Sequence, residues 1–347
     1  MDSKDDKYHR RCLELAENGL GRVATNPLVG SVIVVDDKII GEGYHAIFGA
    51  PHAEANAINS VKDISLFKKS TLYVNLEPCA HFGKTPPCAD LIIEKKIPRV
   101  KIGILDPFPC IAGKGIEKLK AAGIEVEVGF NETENWFLNR RFLTFYEKDR
   151  PYIILKWAET ADGFIDINRV QSENNRPTLI NDELTLSLVH KWRSEEQAIL
   201  VGTNTVLMDN PMLNVRSYSG KNPVRMIIDQ NLKIPKHYNV FDRSVNTIIF
   251  NSKKEEIDGN IVYKKVDFSI IVKEILKYCF NEKIQSILVE GGAKLHSTFI
   301  NSGMWDEARI FRTEDCFGNG VKAADICHIP NKQKQIGNSQ LYFYNNV

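Results

Sequence analysis

His52, Cys79 and Cys88 can reach one metal ion only if a turn near residue 52, a turn near residue 79 and the eight-residue stretch Ala80 to Pro87 all converge. That requirement constrains the fold more than any bulk property does. Pro51 precedes the histidine, Pro78 and Pro87 precede the two cysteines, and Glu54 follows His52 by two positions. Zinc takes imidazole and thiolate ligands tetrahedrally, and a catalytic zinc keeps three protein ligands with its fourth position open to water. A site built at helix N-termini would favour the thiolate form of each cysteine. Residues two apart do not share a helix face. If His52 holds the metal, Glu54 therefore points elsewhere, toward a substrate.

A carboxylate beside a metal-activated water can act first as general base and then as general acid. Zinc brings the pKa of such a water to about 7. These parts suit hydrolytic attack on an amino-bearing aromatic carbon with loss of ammonia, and zinc nucleobase deaminases use a His-x-Glu and Pro-Cys arrangement of this kind. A closed structural zinc site needs a fourth ligand; His81 is the nearest, and Glu54 would then have no role. The usual Pro-Cys-x-x-Cys spacing is replaced here by the longer loop AHFGKTPP, which carries Lys84.

Hydrophobic periodicity predicts a helix over 5–20, a hairpin of 29–35 and 38–44 about Asp36-Asp37, and a helix from Pro51 through Ala57. A strand at 71–76, a helix at 88–96, a strand at 99–104, a helix at 115–122 and a strand at 124–128 follow. This alternation predicts an α/β layer with parallel pairing. Lys148-Asp149-Arg150-Pro151 reads as a polar boundary, giving domains 1–148 and 149–347. In the second, strands are expected at 152–157, 198–202, 224–229, 246–250, 285–289 and 307–312, and helices at 182–193, 268–280 and 293–302.

A formal net charge of +1 over 347 residues is a poor match to a dedicated nucleic-acid binder. The charged start MDSKDDKYHR has no apolar core for a secretory signal, and no stretch approaches a membrane span. The expectation is a cytoplasmic enzyme acting on a small molecule, without nucleic acid or membrane as partner, and assembled as a homo-oligomer, dimer or tetramer. Seven scattered cysteines argue against a disulfide framework; Cys12, Cys110, Cys279, Cys316 and Cys327 read as small buried hydrophobes. Gly113-Lys114-Gly115 lacks the spacing of a phosphate loop, and Gly41-Glu42-Gly43 lies in a hairpin strand rather than at a strand-to-helix turn.

The runs NPLVG (26–30), PHAE (51–54) and LEPCAHFGKTPPC (76–88) resemble the bifunctional deaminase–reductase family of riboflavin biosynthesis, in which the longer cysteine spacing is usual. VGTNTVLMDNPMLNVR (201–216) and LVEGGAKLHSTFI (288–300) resemble that family's reductase half. The resemblance implies an N-terminal cytidine-deaminase-like three-layer α/β domain followed by a dihydrofolate-reductase-like α/β domain. It also implies two reactions. A diaminopyrimidinone ribosylamine 5'-phosphate loses its ring amino group to water, and the ribosyl side chain is then reduced to ribityl by NADPH. The alternative is a nucleic-acid or nucleoside zinc deaminase with a fused accessory domain; near-neutral charge and the second motif set speak against it.

The family's roles fall on His52, Cys79 and Cys88 as zinc ligands, Glu54 as catalytic group, and Asn26, His45, Lys84 and Asp106 as deaminase substrate contacts. Asn26 and Asp106 suit a pyrimidine edge. Cofactor contacts fall on Ala158, Thr205, Asp209 and the turn Gly292, Ala293, Lys294, Leu295, His296, Ser297 and Thr298. A glycine between a strand and a helix N-terminus lets the backbone approach a phosphate. Reductase substrate positions are Lys156, Arg193, Leu213, Arg216 and Glu290. Guanidinium groups pair with sugar phosphates, and a lysine inside the apolar run YIILKW is costly to bury unpaired. The chain departs from the family at Phe108, where many members have Asn, and at Pro177-Thr178-Leu179, where Ser-x-Trp is frequent.

Overall fold

Asp36 and Asp37 both adopt left-handed backbone, with φ of 46° and 64°, as a two-residue hairpin turn requires. That turn joins β1 (Gly30–Val35) to β2 (Lys38–Tyr44), which pair antiparallel. The computed structural model describes residues 4–82, 86–107, 112–169, 178, 180 and 182–346, and the chain divides into two compact units, Met1–Asp149 and Arg150–Val347.

The first unit contains α1 (Lys4–Glu17), β1, β2, α2 (Ala53–Ser60), β3 (Thr71–Leu76), α3 (Cys88–Glu94), β4 (Arg99–Ile104), α4 (Lys114–Ala121), β5 (Glu125–Val128) and α5 (Glu132–Lys148). Its sheet has the order β2-β1-β3-β4-β5. β3, β4 and β5 run parallel, whereas β1 is antiparallel to both neighbours, so the expected parallel layer is mixed. Alternation along β1 builds three layers. Ile33 packs with Ala57, Ile58, Ala89, Ile92, Ile116 and Leu119 of α2, α3 and α4. Val32 and Val34 face the opposite side, against Tyr8, Cys12 and Leu15 of α1. Each buried Val, Leu or Ile among them contributes about 1.5–3 kcal/mol.

The second unit contains β6 (Tyr152–Glu159), β7 (Phe164–Asp166), α6 (Glu183–Glu195), β8 (Ala198–Gly202), α7 (Thr203–Asp209), β9 (Val224–Ile228), β10 (Thr247–Asn251), β11 (Glu256–Asp258), β12 (Ile261–Lys265), α8 (Ile271–Asn281), β13 (Ser286–Val289), α9 (Ala293–Ser302), β14 (Glu307–Arg312), β15 (Val321–Lys322), β16 (Lys332–Ile336) and β17 (Ser339–Asn345). Ten strands form one sheet in the order β11-β12-β10-β9-β8-β13-β6-β14-β17-β16, and β7 pairs with β15. The strands from β12 to β14 in that order are parallel, with antiparallel strands at both edges. In β6, β8 and β13 both faces are covered: Ile153, Leu155, Leu200 and Val289 face one core, and Ile154 and Leu288 face another. Sheets covered on both sides read as continuous apolar runs, which is why these strands were legible.

Several elements were not expected. α5 fills Glu132–Lys148, where no element is expected from the sequence; its N-cap Asn131 has left-handed backbone and makes no side-chain cap, so the usual start signal is missing. α7 is seven residues long and begins directly after β8. Of the lone cysteines, Cys12 and Cys279 are buried as expected, but Cys316 and Cys327 are exposed. Cys110 lies outside the described residues. Among the described residues, no helix is long and apolar enough to cross a membrane.

Candidate active sites

His52 is the N-cap of α2 with extended backbone, and its side chain makes no capping bond. The imidazole is thus available, and its Nδ1 lies 3.6 Å from Cys79 Sγ and 3.4 Å from Cys88 Sγ. Cys79 follows β3, and Cys88 is the first residue of α3. The Cys88 N–H donates to Cys79 Sγ at 3.3 Å and the Ala89 N–H donates to the Cys79 carbonyl at 3.1 Å, which joins the two ends of the intervening loop. The three ligand atoms lie within 4.8 Å of one another. Tetrahedral zinc with ordinary bond lengths separates a nitrogen from a sulfur ligand by about 3.6 Å, so this donor set fits zinc. His81 is exposed and is not part of the group.

Glu54 sits in the first turn of α2 and is 3% exposed. Burial, and then the charge of Cys79, push its carboxyl up to about 7. A group with that pKa can hold or release a proton near neutrality. The thiols differ from the expectation that both would be lowered. Cys79 is held down at about 4 by the hydrogen bond from Cys88, with His52 adding to it, while Cys88 is pushed up by its bond to Cys79 and by burial. Two thiols this close cannot both ionise easily without a cation.

His52, Glu54 and Cys79 open on a cavity of about 320 Å³ that Asn26, His45 and Asp106 also line. The structure therefore brings together every described residue expected there; Lys84 and Phe108 lie outside the described residues. His45 Nδ1 is 3.1 Å from the Pro51 carbonyl and must carry the proton to donate to it. That leaves His45 Nε2 as acceptor for the Asn26 amide at 3.0 Å. Asn75 and Asn139 hold the adjoining chain: their side-chain oxygens accept from Gly30 and Leu28 N–H, and both amides donate to the Leu28 carbonyl.

Sequence reasoning missed four contributors. Phe142 and Tyr146, one turn apart on α5, line the cavity. Glu77 accepts N–H groups from the start of α4. Gly115, in the glycine pair set aside above, lets α4 close on the strand: a Cβ there would stand 2.0 Å from the Pro78 carbonyl, one residue before Cys79. Gly115→Ala is expected to destabilise the first unit by about 1–3 kcal/mol, as overpacking does. Thermal melting with zinc analysis would check this, and an unchanged melting temperature would count against the close approach.

In the second unit, Gly292 is the N-cap of α9 with φ 50°, and a Cβ on it would press on Thr205 Oγ1 at 3.2 Å. The first-turn N–H groups of Ala293 and Lys294 lack helical acceptors. This bare cradle beside Thr205 fits a cofactor phosphate. Leu295 and His296 do not present side chains to it: both are buried, His296 Nε2 lies 3.1 Å from the Val289 carbonyl, and Leu295 joins the core. Ser297 and Thr298 follow on α9, and Thr298 Oγ1 donates to the Lys294 carbonyl at 2.8 Å. Asp209 accepts from Arg169 at 2.7 Å. Ala158 lies in β6, in register with Phe311; Pro177 and Leu179 lie outside the described residues.

Arg193 grips Glu290 with two hydrogen bonds of 2.7 Å, and its Nη1 donates to the Asn214 carbonyl at 3.2 Å. Arg216 reaches the Asn214 side chain at 3.4 Å. Leu213 takes φ 49° and is buried. Burial lowers the Lys156 ammonium, Glu290 opposes that, and Arg193 adds to it. Lys156, Arg193 and Arg216 thus share one carboxylate, Glu290, which leaves excess positive charge fit for a phosphate. His190, which sequence reasoning missed, orders this group: its Nδ1 accepts the Arg216 N–H at 3.3 Å, and burial with both arginines drives its pKa down to about 4.

Comparison with known proteins agrees with this division. Residues 2–104 match the cytidine and deoxycytidylate deaminase zinc-binding region, and residues 151–328 match the RibD C-terminal domain. The chain is 39% identical over 328 residues to riboflavin biosynthesis protein RibD of Aquifex aeolicus, covering 93% of this chain and 90% of that protein. A crystal structure of a diaminohydroxyphosphoribosylaminopyrimidine deaminase/5-amino-6-(5-phosphoribosylamino)uracil reductase from Thermotoga maritima superposes with a TM-score of 0.86 at 39% identity, over 99% of this chain and 98% of that one. Acinetobacter baumannii RibD superposes with a TM-score of 0.87 at 30% identity, over 98% of each. With both halves matched in one order over nearly the whole length, the chain belongs to the RibD family of riboflavin biosynthesis proteins.

Proposed function

We propose that the unit Met1–Asp149 deaminates a diaminopyrimidinone ribosylamine 5'-phosphate and that the unit Arg150–Val347 reduces the ribosyl side chain of the product to ribityl with NADPH. One observation carries the first reaction: a buried Glu54 stands beside His52, Cys79 and Cys88, a donor set that fits zinc, at the cavity that Asn26 and Asp106 line. Family membership supports both reactions and leaves no ground for the nucleic-acid deaminase alternative.

In the deaminase unit, His52, Cys79 and Cys88 would hold zinc, which when bound makes water nucleophilic near neutral pH. Glu54 takes a proton from the attacking water and delivers it to the departing amine, so the carbon–nitrogen bond breaks and ammonia leaves. Asp106 accepts from the pyrimidine edge and Asn26 donates to it, the amide held by His45. Lys84 is assigned to the phosphate or ribose.

In the reductase unit, the Gly292 turn, Thr205, Asp209 and Ala158 would hold NADPH, whose nicotinamide supplies hydride to the ring-opened, imine-like ribosylamine. Arg193, through Glu290, and Arg216 place a positive surface for the substrate phosphate, with Lys156 beside it for the ribose. The reading includes a homo-oligomer in the cytoplasm, whose mass in solution sedimentation would give.

Purified protein given the diaminopyrimidinone should release ammonia without NADPH and oxidise NADPH only as deaminated product accumulates. NADPH oxidation preceding ammonia release would overturn the order. Cys88→Ser is expected to lower zinc below one per chain, read by metal analysis; full retention would overturn the ligand set.

A further inference from the structure

Glu77 is 4% exposed, and four main-chain N–H groups surround its carboxylate. Oε1 accepts from Gly115 at 2.9 Å and Ile116 at 3.4 Å, and Oε2 accepts from Gly113 at 3.0 Å and Asp106 at 3.4 Å. An ionised carboxylate offers about four lone-pair sites, so all are taken. No cation pairs with Glu77 among the described residues. The N–H dipoles at the start of α4 balance its charge.

The backbone of Glu77 makes a second tie in the same direction. Its N–H donates to the Ile104 carbonyl at 3.1 Å, continuing the β3–β4 ladder in which Leu76 faces Ile104. Main chain and side chain of one residue thus grip β4 and the residue two beyond it, Asp106. The adjoining Pro78 leads into Cys79. Asp106 and Glu77 line the same cavity.

We propose that Glu77 is a positioning residue for deamination: it sets Asp106 at the height where that carboxylate meets the pyrimidine edge. The proposal rests on the reading of Asp106 as a substrate contact. Substrate recognition, rather than the proton transfers of Glu54, should therefore suffer when Glu77 is altered.

The experiment uses the full-length zinc-loaded chain and the variants Glu77→Gln, Asp106→Ala and their combination. Deaminase kcat and KM are measured by ammonia release, with zinc content and NADPH oxidation on supplied deaminated product as controls. Glu77→Gln should raise KM about 10- to 100-fold, the loss of one charge-assisted hydrogen bond, with kcat, zinc and reduction little changed. Asp106→Ala should raise KM similarly, and the double variant should be no worse than the worse single one. Multiplying losses in the double variant, or an unchanged KM in Glu77→Gln beside a raised KM in Asp106→Ala, would overturn the role of Glu77 alone. An unchanged KM in Asp106→Ala would sink the reading of Asp106, and with it this route. If Glu77→Gln does not fold, Glu77→Asp, which withdraws the oxygens by one methylene, should show a smaller rise in KM with the same lack of additivity.

Discussion

Glu54→Gln is expected to lower the deaminase kcat by about 10²–10⁴-fold, the usual contribution of positioned acid–base catalysis, while the protein keeps its zinc. The amide is nearly isosteric with the carboxyl and keeps a hydrogen-bonding oxygen, so the buried first turn of α2 should survive the change. What it cannot do is take a proton from water and return it to the amine. Glu54 is suited to both because burial has raised it to about 7, where both protonation states are accessible. His52, Cys79 and Cys88 have ties that do not run through Glu54, since the imidazole comes from the N-cap and the Cys88 N–H donates to Cys79 Sγ; the hydrogen bond that Cys88 shares with Glu54 can be kept by the amide. Ammonia release would drop, metal analysis would not, and reduction of separately supplied deaminated product would continue. Activity within a few-fold of the wild type would remove Glu54 from the chemistry and return the site to the structural-zinc reading.

The largest effect on the second unit is expected from Glu290→Gln. The Glu290 side chain is 8% exposed and that of Arg193 12%; removing the charge of one partner leaves the other buried without compensation. Breaking such a pair typically costs about 3–5 kcal/mol. At about 2–4 °C per kcal/mol for a domain of this size, the reductase unit should melt roughly 6–20 °C lower. Lys156, Arg193 and Arg216 would then repel one another with no carboxylate among them, and NADPH oxidation should be lost while ammonia release continues.

The same pair predicts a pH dependence. Burial alone would raise the Glu290 carboxyl, but Arg193 and then Lys156 outweigh it and hold the group at about 2, against 4.5 ordinarily. A carboxyl depressed in the folded state stabilises above its unfolded pKa, and that stabilisation is lost as pH falls toward the folded value. The difference in melting temperature between wild type and Glu290→Gln should therefore be full above about pH 4.5 and shrink below it. A difference that stays constant down to pH 3 would show that the loss is one of packing rather than charge.

The legible parts of both sites share a property: they are written within short spans. His52 and Glu54 share one helix start, Gly292 sits between a buried strand and α9, and the hairpin turn at Asp36-Asp37 announces itself through two residues that tolerate left-handed backbone. Doubly covered strands such as β8 and β13 show as apolar runs whatever their partners. The missed parts lack a local signature. Tyr146 and Phe142 read as ordinary helix residues until α5 packs beside the cavity. Cys316 and Cys327 look no different from Cys12, and only the fold leaves them exposed. His296 stands in a cofactor-like motif, yet its side chain turns toward the Val289 carbonyl, because position along α9 sets which face it occupies.

What short stretches of sequence already carried was the kind of chemistry: a His-x-Glu and two Pro-Cys pairs of the type that can hold zinc, a glycine turn between a strand and a helix, and two α/β units in this order. Those follow from residue type and short spacing, which covalent geometry preserves in any fold. The tertiary structure alone decided how that chemistry is held. It set Glu77 against four N–H groups from α4 and the end of β4, paired Arg193 with Glu290 across 97 positions of chain, and made the two thiols unequal. Each of these depends on strand register and on which surfaces are removed from water, and neither quantity is carried by any short stretch of sequence.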